Sequence, residues 1–124
     1  METTGPPRIL VVEDEALVAA MLQEMLEECG ARTVGPAYAL AAACELARTA
    51  ACDAAVLDVS LRGESVGPAA AILAARGIPF ILATGYGGQV SEEWPSAPVV
   101  EKPYSARDIE RALASLGLAV GSCL

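Results

Sequence analysis

The chain contains no histidine and a single lysine, Lys102. The first absence excludes imidazole acid–base catalysis, histidine metal sites and a role as a phosphohistidine donor. The second, with a net charge of −8, leaves no basic stripe of the kind nucleic-acid binding needs, so no nucleic-acid partner is expected. No apolar run approaches the roughly 18 residues of a membrane-spanning helix. The first residues lack the basic-then-apolar pattern of a secretory signal. No membrane association is expected, and the cytoplasm is the expected compartment. The four cysteines, Cys29, Cys44, Cys52 and Cys123, show no CxxC spacing, so reduced thiols are expected. Against these absences stand 124 residues, 54% hydrophobic and 19% charged. That suffices for one well-filled core and leaves no room for a second. One domain over 1–124 is expected, with its core at about 8–116 and no output domain.

Apolar runs alternate with helix-period segments along the chain. Residues 9–12, 54–57 and 80–83 are short, continuous, β-favouring runs of the type buried inside a parallel sheet. Residues 32–34 and 99–100 are weaker strand candidates. Between them, 16–29, 40–49 and 69–76 predict helices, the first carrying Val18, Met21, Leu22, Met25 and Leu26 at helical spacing. Ser105 with Asp108 resembles a capping box for a last helix ending near Leu116. Residues 59–67 predict a loop. Residues 85–98, rich in glycine and proline, predict a short or degenerate fourth helix at most, with Trp94 as a loop anchor. Strand–helix alternation of this kind implies an α/β three-layer domain around a doubly wound, five-stranded parallel sheet. Its working site belongs at the carboxyl ends of the strands.

Those ends carry chemistry. Glu13, Asp14 and Glu15 follow the first strand, Asp58 the third, Thr84 the fourth and Lys102 the fifth. Two carboxylates about 4 Å apart repel by about 4 kcal/mol at an effective dielectric near 20. Such a cluster must take up protons or bind cations. Lys102 supplies one positive charge, and an all-oxygen set favours a hard cation, Mg²⁺ first. A carboxylate beside Mg²⁺, a lysine and a hydroxyl is equipped to accept a phosphoryl group. No glycine-rich phosphate cradle follows the first strand, which argues against a nucleotide- or flavin-binding domain.

Four motifs in order, residues 9–15 (ILVVEDE), 55–59 (AVLDV), 82–85 (LATG) and 101–104 (EKPY), resemble the receiver domain of two-component response regulators. The resemblance implies a flavodoxin-like receiver fold and a phosphoprotein of signal transduction rather than an enzyme, one that assists its own phosphotransfer and dephosphorylation. It implies that Asp58 is the phosphoacceptor. Glu13 and Asp14 would hold Mg²⁺, Asp14 directly and Glu13 through water, with Asp58 and the backbone carbonyl of Ser60 completing the protein ligands. Thr84 and Lys102 would contact the phosphoryl group. The partner would be a histidine kinase or a histidine phosphotransfer protein; no downstream partner is named by the sequence. Residues 81–87 (ILATGYG) are further similar to the alphaproteobacterial receivers nicknamed FAT GUY, with Leu82 where the nickname has Phe. That subgroup includes stand-alone receivers, and its kinases are commonly of the HWE type.

The chain departs from the family in one place that matters for signalling. The aromatic switch residue three positions before the lysine is replaced by Val99. Tyr86, two residues after Thr84, is the expected substitute sensor, reshaping the segment 87–98 on phosphorylation. Lys102-Pro103 suggests a cis peptide bond that aims the lysine inward. Two other readings of the same residues are a binding module that keeps the fold without phosphorylation, and an aspartyl-nucleophile phosphatase. The latter usually carries an acid two residues after the nucleophile, where this chain has Ser60.

Overall fold

The computed structural model describes residues 5–85 and 93–118. Five strands form one sheet in the order β2-β1-β3-β6-β7: β1 (Arg8–Val12), β2 (Arg32–Ala37), β3 (Ala54–Asp58), β6 (Phe80–Thr84) and β7 (Val99–Glu101). Every pairing in it is parallel. The strand order reverses beside β1, which places the switch point between β1 and β3.

Strand alternation divides the core into two layers. Ile9 and Val11 of β1, Val56 of β3 and Ile81 of β6 face α1 (Ala16–Glu28) and α4 (Ala106–Ser115). Leu10, Val12, Leu57 and Leu82 face α2 (Leu40–Thr49) and α3 (Gly67–Ala75). The central strands are apolar throughout because both of their faces are covered. Ala43 and Ala47 of α2 and Ala69, Ala70 and Leu73 of α3 are fully buried, so the two helices approach the sheet largely through small side chains. The expected capping box at Ser105 and Asp108 is present, with Asp108 N–H donating to Ser105 Oγ at 3.1 Å and Ser105 N–H to Asp108 Oδ2 at 2.9 Å. Trp94 anchors its segment edge-on against Phe80, ring centroids 5.5 Å apart.

Three expectations need correction. The second strand continues to Ala37, through Gly35 and Pro36. Gly35 at φ +93° and a cis Gly35–Pro36 bond carry the strand past a register shift opposite Leu10 and Val12. β2 is an edge strand, where a proline costs no ladder hydrogen bond to a second neighbour. The segment 59–67 is not all loop: β4 (Ser60–Leu61) and β5 (Glu64–Ser65) form an antiparallel hairpin. Its two turn residues, Arg62 and Gly63, both have positive φ, 52° and 83°. This is the backbone of a tight two-residue hairpin turn, and arginine in that position gives little warning of it. Finally, Cys44 and Cys52 are free, as expected, but Cys29 is disulfide-bonded. Absence of CxxC excludes only local pairing. Of the segment 85–98 expected to hold at most a short fourth helix, residues 93–98 form turns and no helix, while 86–92, including Tyr86 and its sensor role, lie outside the described residues, as does Cys123.

Candidate metal and phosphoacceptor site

Strand ends build the site. β1 delivers Glu13 and Asp14, and Glu13 N–H is held by the Ala37 carbonyl of β2 at 3.0 Å. β3 ends on Asp58, opposite Ala83 of β6, and Thr84 stands one residue further on, buried. β7 is followed by Lys102, whose backbone N–H donates to the Thr84 carbonyl at 2.9 Å. The Lys102–Pro103 bond is cis.

The side chains converge. Lys102 Nζ lies 2.9 Å from Glu13 Oε1 and 3.1 Å from Asp58 Oδ2, bridging two carboxylates that are nearly inaccessible to solvent. One oxygen each from Glu13, Asp14 and Asp58 falls within 4.8 Å of the others. Asp58 Oδ1 also accepts the Ser60 N–H at 3.3 Å, and Glu13 Oε2 the Glu15 N–H at 3.1 Å. Asp14 Oδ2 accepts the Arg62 N–H at 2.8 Å, so the hairpin turn is tied to the site.

Charge sets the protonation. Burial pushes Glu13 up to about 7, against the pull of Lys102, while the neighbouring Asp58 adds repulsion. Burial also raises Asp58, with Lys102 opposing. Asp14 is held below the usual carboxylate range, chiefly by the Arg62 backbone N–H. Burial pulls Lys102 down, but Glu13 and Asp58 outweigh it and lift the ammonium to about 12. Three carboxylates and one ammonium leave two negative charges uncompensated, the deficit one divalent cation fills. The all-oxygen donor set fits Mg²⁺, with Asp14 as the most exposed of the three acids.

A consequence follows for stability. Glu13 has a folded pKa above its unfolded value, so its stabilising contribution is complete below about 4.5 and lost as pH rises through about 7. Thermal melts in a chelator should show metal-free protein losing stability over that window. Glu13→Gln should flatten the dependence, and an unchanged slope would count against a buried, cation-hungry Glu13.

Sequence reasoning missed two participants. The Arg62 backbone N–H on Asp14 was hidden by the unrecognised hairpin; Gly63 was its one signal. Tyr104 was read only as part of a motif, yet its buried hydroxyl has no partner among the described residues. Burial pushes that hydroxyl up to about 12, with Glu13 adding to the shift. Ser60 lies in β4 with its backbone turned to Asp58, and Val99 is exposed on β7.

A parallel β2-β1-β3-β6-β7 sheet with acids after β1 and at the end of β3 and a lysine after β7 defines a receiver-type domain. The comparisons agree. SdrG from Sphingomonas melonis Fr1 is 40% identical, with a TM-score of 0.82 over 94% of this chain and 100% of SdrG. The receiver domain of the sensor histidine kinase PA1611 from Pseudomonas aeruginosa, solved with magnesium in its active-site cleft, superposes with a TM-score of 0.76 at 22% identity, covering 91% of this chain and 99% of that one. The transcriptional regulatory protein PdtaR of Mycobacterium tuberculosis is 31% identical over 87% of this chain. The chain spans about half the length of that curated relative, 55%. No protein-family model matches. The chain belongs to the response regulator receiver domains of two-component systems.

Proposed function

We propose that this receiver accepts a phosphoryl group on Asp58 in a Mg²⁺-dependent reaction and signals by protein contact or acts as a phosphate sink. The observation that carries the reading is the bridge of Lys102 between Asp58 and Glu13, within one 4.8 Å cluster of carboxylate oxygens. An Asp58 oxygen attacks the phosphorus of the donor, the bond from phosphorus to the donor's leaving group breaks, and an acyl phosphate forms. Lys102 meets the charge on the transferring oxygens, with the Thr84 hydroxyl as a hydrogen-bond partner. Glu13, Asp14, Asp58 and the Ser60 carbonyl would hold Mg²⁺, which supplies the remaining neutralising charge. No helix among the described residues is long and apolar enough to cross a membrane.

The donor would be a histidine kinase, of HWE type if the likeness of residues 81–87 to the FAT GUY group holds, or a histidine phosphotransfer protein. Its docking surface would be α1 and the turn after β7. Leu17 and Met21 are 74% and 49% exposed there, and Val18, Met25, Pro103 and Tyr104 line a cavity of about 280 Å³ beside Lys102. The test is intact-protein mass after incubation with acetyl phosphate. One added phosphoryl group that disappears when Mg²⁺ is chelated supports the reading. No adduct from acetyl phosphate or from any purified kinase would make the chain a binding module.

The phosphorylated form should be long-lived. Neither Ser60 nor Tyr86, the residues two beyond Asp58 and Thr84, is an acid or amide suited to orient an attacking water. Decay of the adduct, followed by mass over time, should take far longer than seconds; loss within seconds would contradict this.

A further inference from the structure

At the amino end of the sheet, away from the acceptor site, three of the chain's eight cationic side chains line one cavity of about 570 Å³. Arg8 opens β1 and Arg32 opens β2, and the two stand directly opposite each other in the ladder. Arg76, at the C-cap of α3, completes the set. Like charges directly opposite on neighbouring strands are destabilising. Among the described residues, neither the Arg8 nor the Arg32 side chain has an ion-pair or hydrogen-bond partner to offset this. The one acid in the lining, Asp53, is engaged by the backbone N–H of Arg8 at 2.7 Å. The Arg76 guanidinium is anchored by one of its nitrogens: Nη1 donates to the Ala47 carbonyl at 2.6 Å, and its other N–H groups remain for a ligand. Three guanidinium groups against one carboxylate leave a local charge of +2 on a chain whose total is −8.

We propose that this cavity binds a multivalent oxyanion of the diphosphate type. Arginine forks match phosphate oxygens in pairs, and Arg8 and Arg32 present two such forks side by side. Arg76 provides a third positive wall, and Pro6 and Ile78 provide an apolar one. The volume lies within the range of small-molecule sites, so free diphosphate and the diphosphate of a mononucleotide are both possible sources. The site is separate from the acceptor chemistry and does not depend on it.

The test is a titration of amide NMR shifts in a chelator, so that no metal carries the anion to Asp58. Inorganic pyrophosphate and a nucleoside diphosphate are added separately. Saturable shifts at residues 8, 32, 53 and 76 are expected, with the same affinity in Asp58→Asn. Replacing Arg8 and Arg32 together by Gln should weaken binding by about 100-fold, roughly tenfold for each lost charge-assisted pair. Both arginines are exposed and their charges oppose each other, so the double variant should melt no lower than wild type without the anion. Tighter binding of the nucleotide identifies it as the source; equal binding identifies the diphosphate alone. Shifts that never saturate, shifts centred on residues 14, 58 and 102, or unchanged affinity in the double variant would overturn the proposal.

Discussion

Lys102→Met should destabilise metal-free protein by about 3 kcal/mol or more near pH 8, and by much less near pH 5. The reason is what the ammonium leaves behind. Glu13 and Asp58 are buried, and Lys102 Nζ lies within 3.1 Å of an oxygen on each. Without it, two desolvated carboxylates face each other with no counter-charge, and their pKa values rise further. At high pH the folded state must ionise them or hold protons that the unfolded state releases, and stability falls. Near pH 5, closer to the ordinary carboxylate range, holding those protons in the folded state costs less, and the penalty shrinks. Mg²⁺ should restore much of the loss. Thermal melts at the two pH values, with and without Mg²⁺, check this. Equal destabilisation at both would mean that Lys102 contributes packing rather than charge. The same variant should accept phosphoryl groups more slowly, on the order of 10²-fold, since a donor aimed at developing charge is removed.

Asp58→Asn should abolish phosphorylation and yet fold. Asparagine keeps the side chain's shape and can still accept the Ser60 N–H, a bond of 3.3 Å in the native site. It also removes one of the carboxylates whose ionised form burial disfavours. The variant should therefore melt higher than wild type near pH 8 when metal is chelated. Gain of stability with loss of function would separate a chemical role from a structural one. A variant that melts lower and takes no phosphoryl group would leave Asp58 as a structural acid.

Much of the fold is legible in the sequence because its strands are short and buried on both faces. Residues such as Val11 and Leu82 leave no other reading in a domain of this size. The strand ends follow from the fold: once β1, β3, β6 and β7 are parallel neighbours, Glu13, Asp58, Thr84 and Lys102 must share one rim. Details set by backbone rather than side chain are not legible. The hairpin after Asp58 depends on a positive φ at Arg62, which no arginine advertises. The extension of β2 through Pro36 depends on its being at the sheet edge, known only once the order of strands is known. The disulfide at Cys29 is not revealed by the spacing of the cysteines. The three arginines at the opposite rim come from separate stretches of sequence, and only the strand register brings Arg8 against Arg32.

The central claim is that Asp58 itself carries the phosphoryl group. Protein phosphorylated by acetyl phosphate with Mg²⁺ can be reduced with borodeuteride, which converts an acyl phosphate on aspartate to deuterated homoserine, and then digested and sequenced by mass. The account predicts homoserine at position 58 and at no other aspartate or glutamate. Homoserine at Asp14 or Asp53, or none at all in protein that has gained the phosphoryl mass, would contradict it.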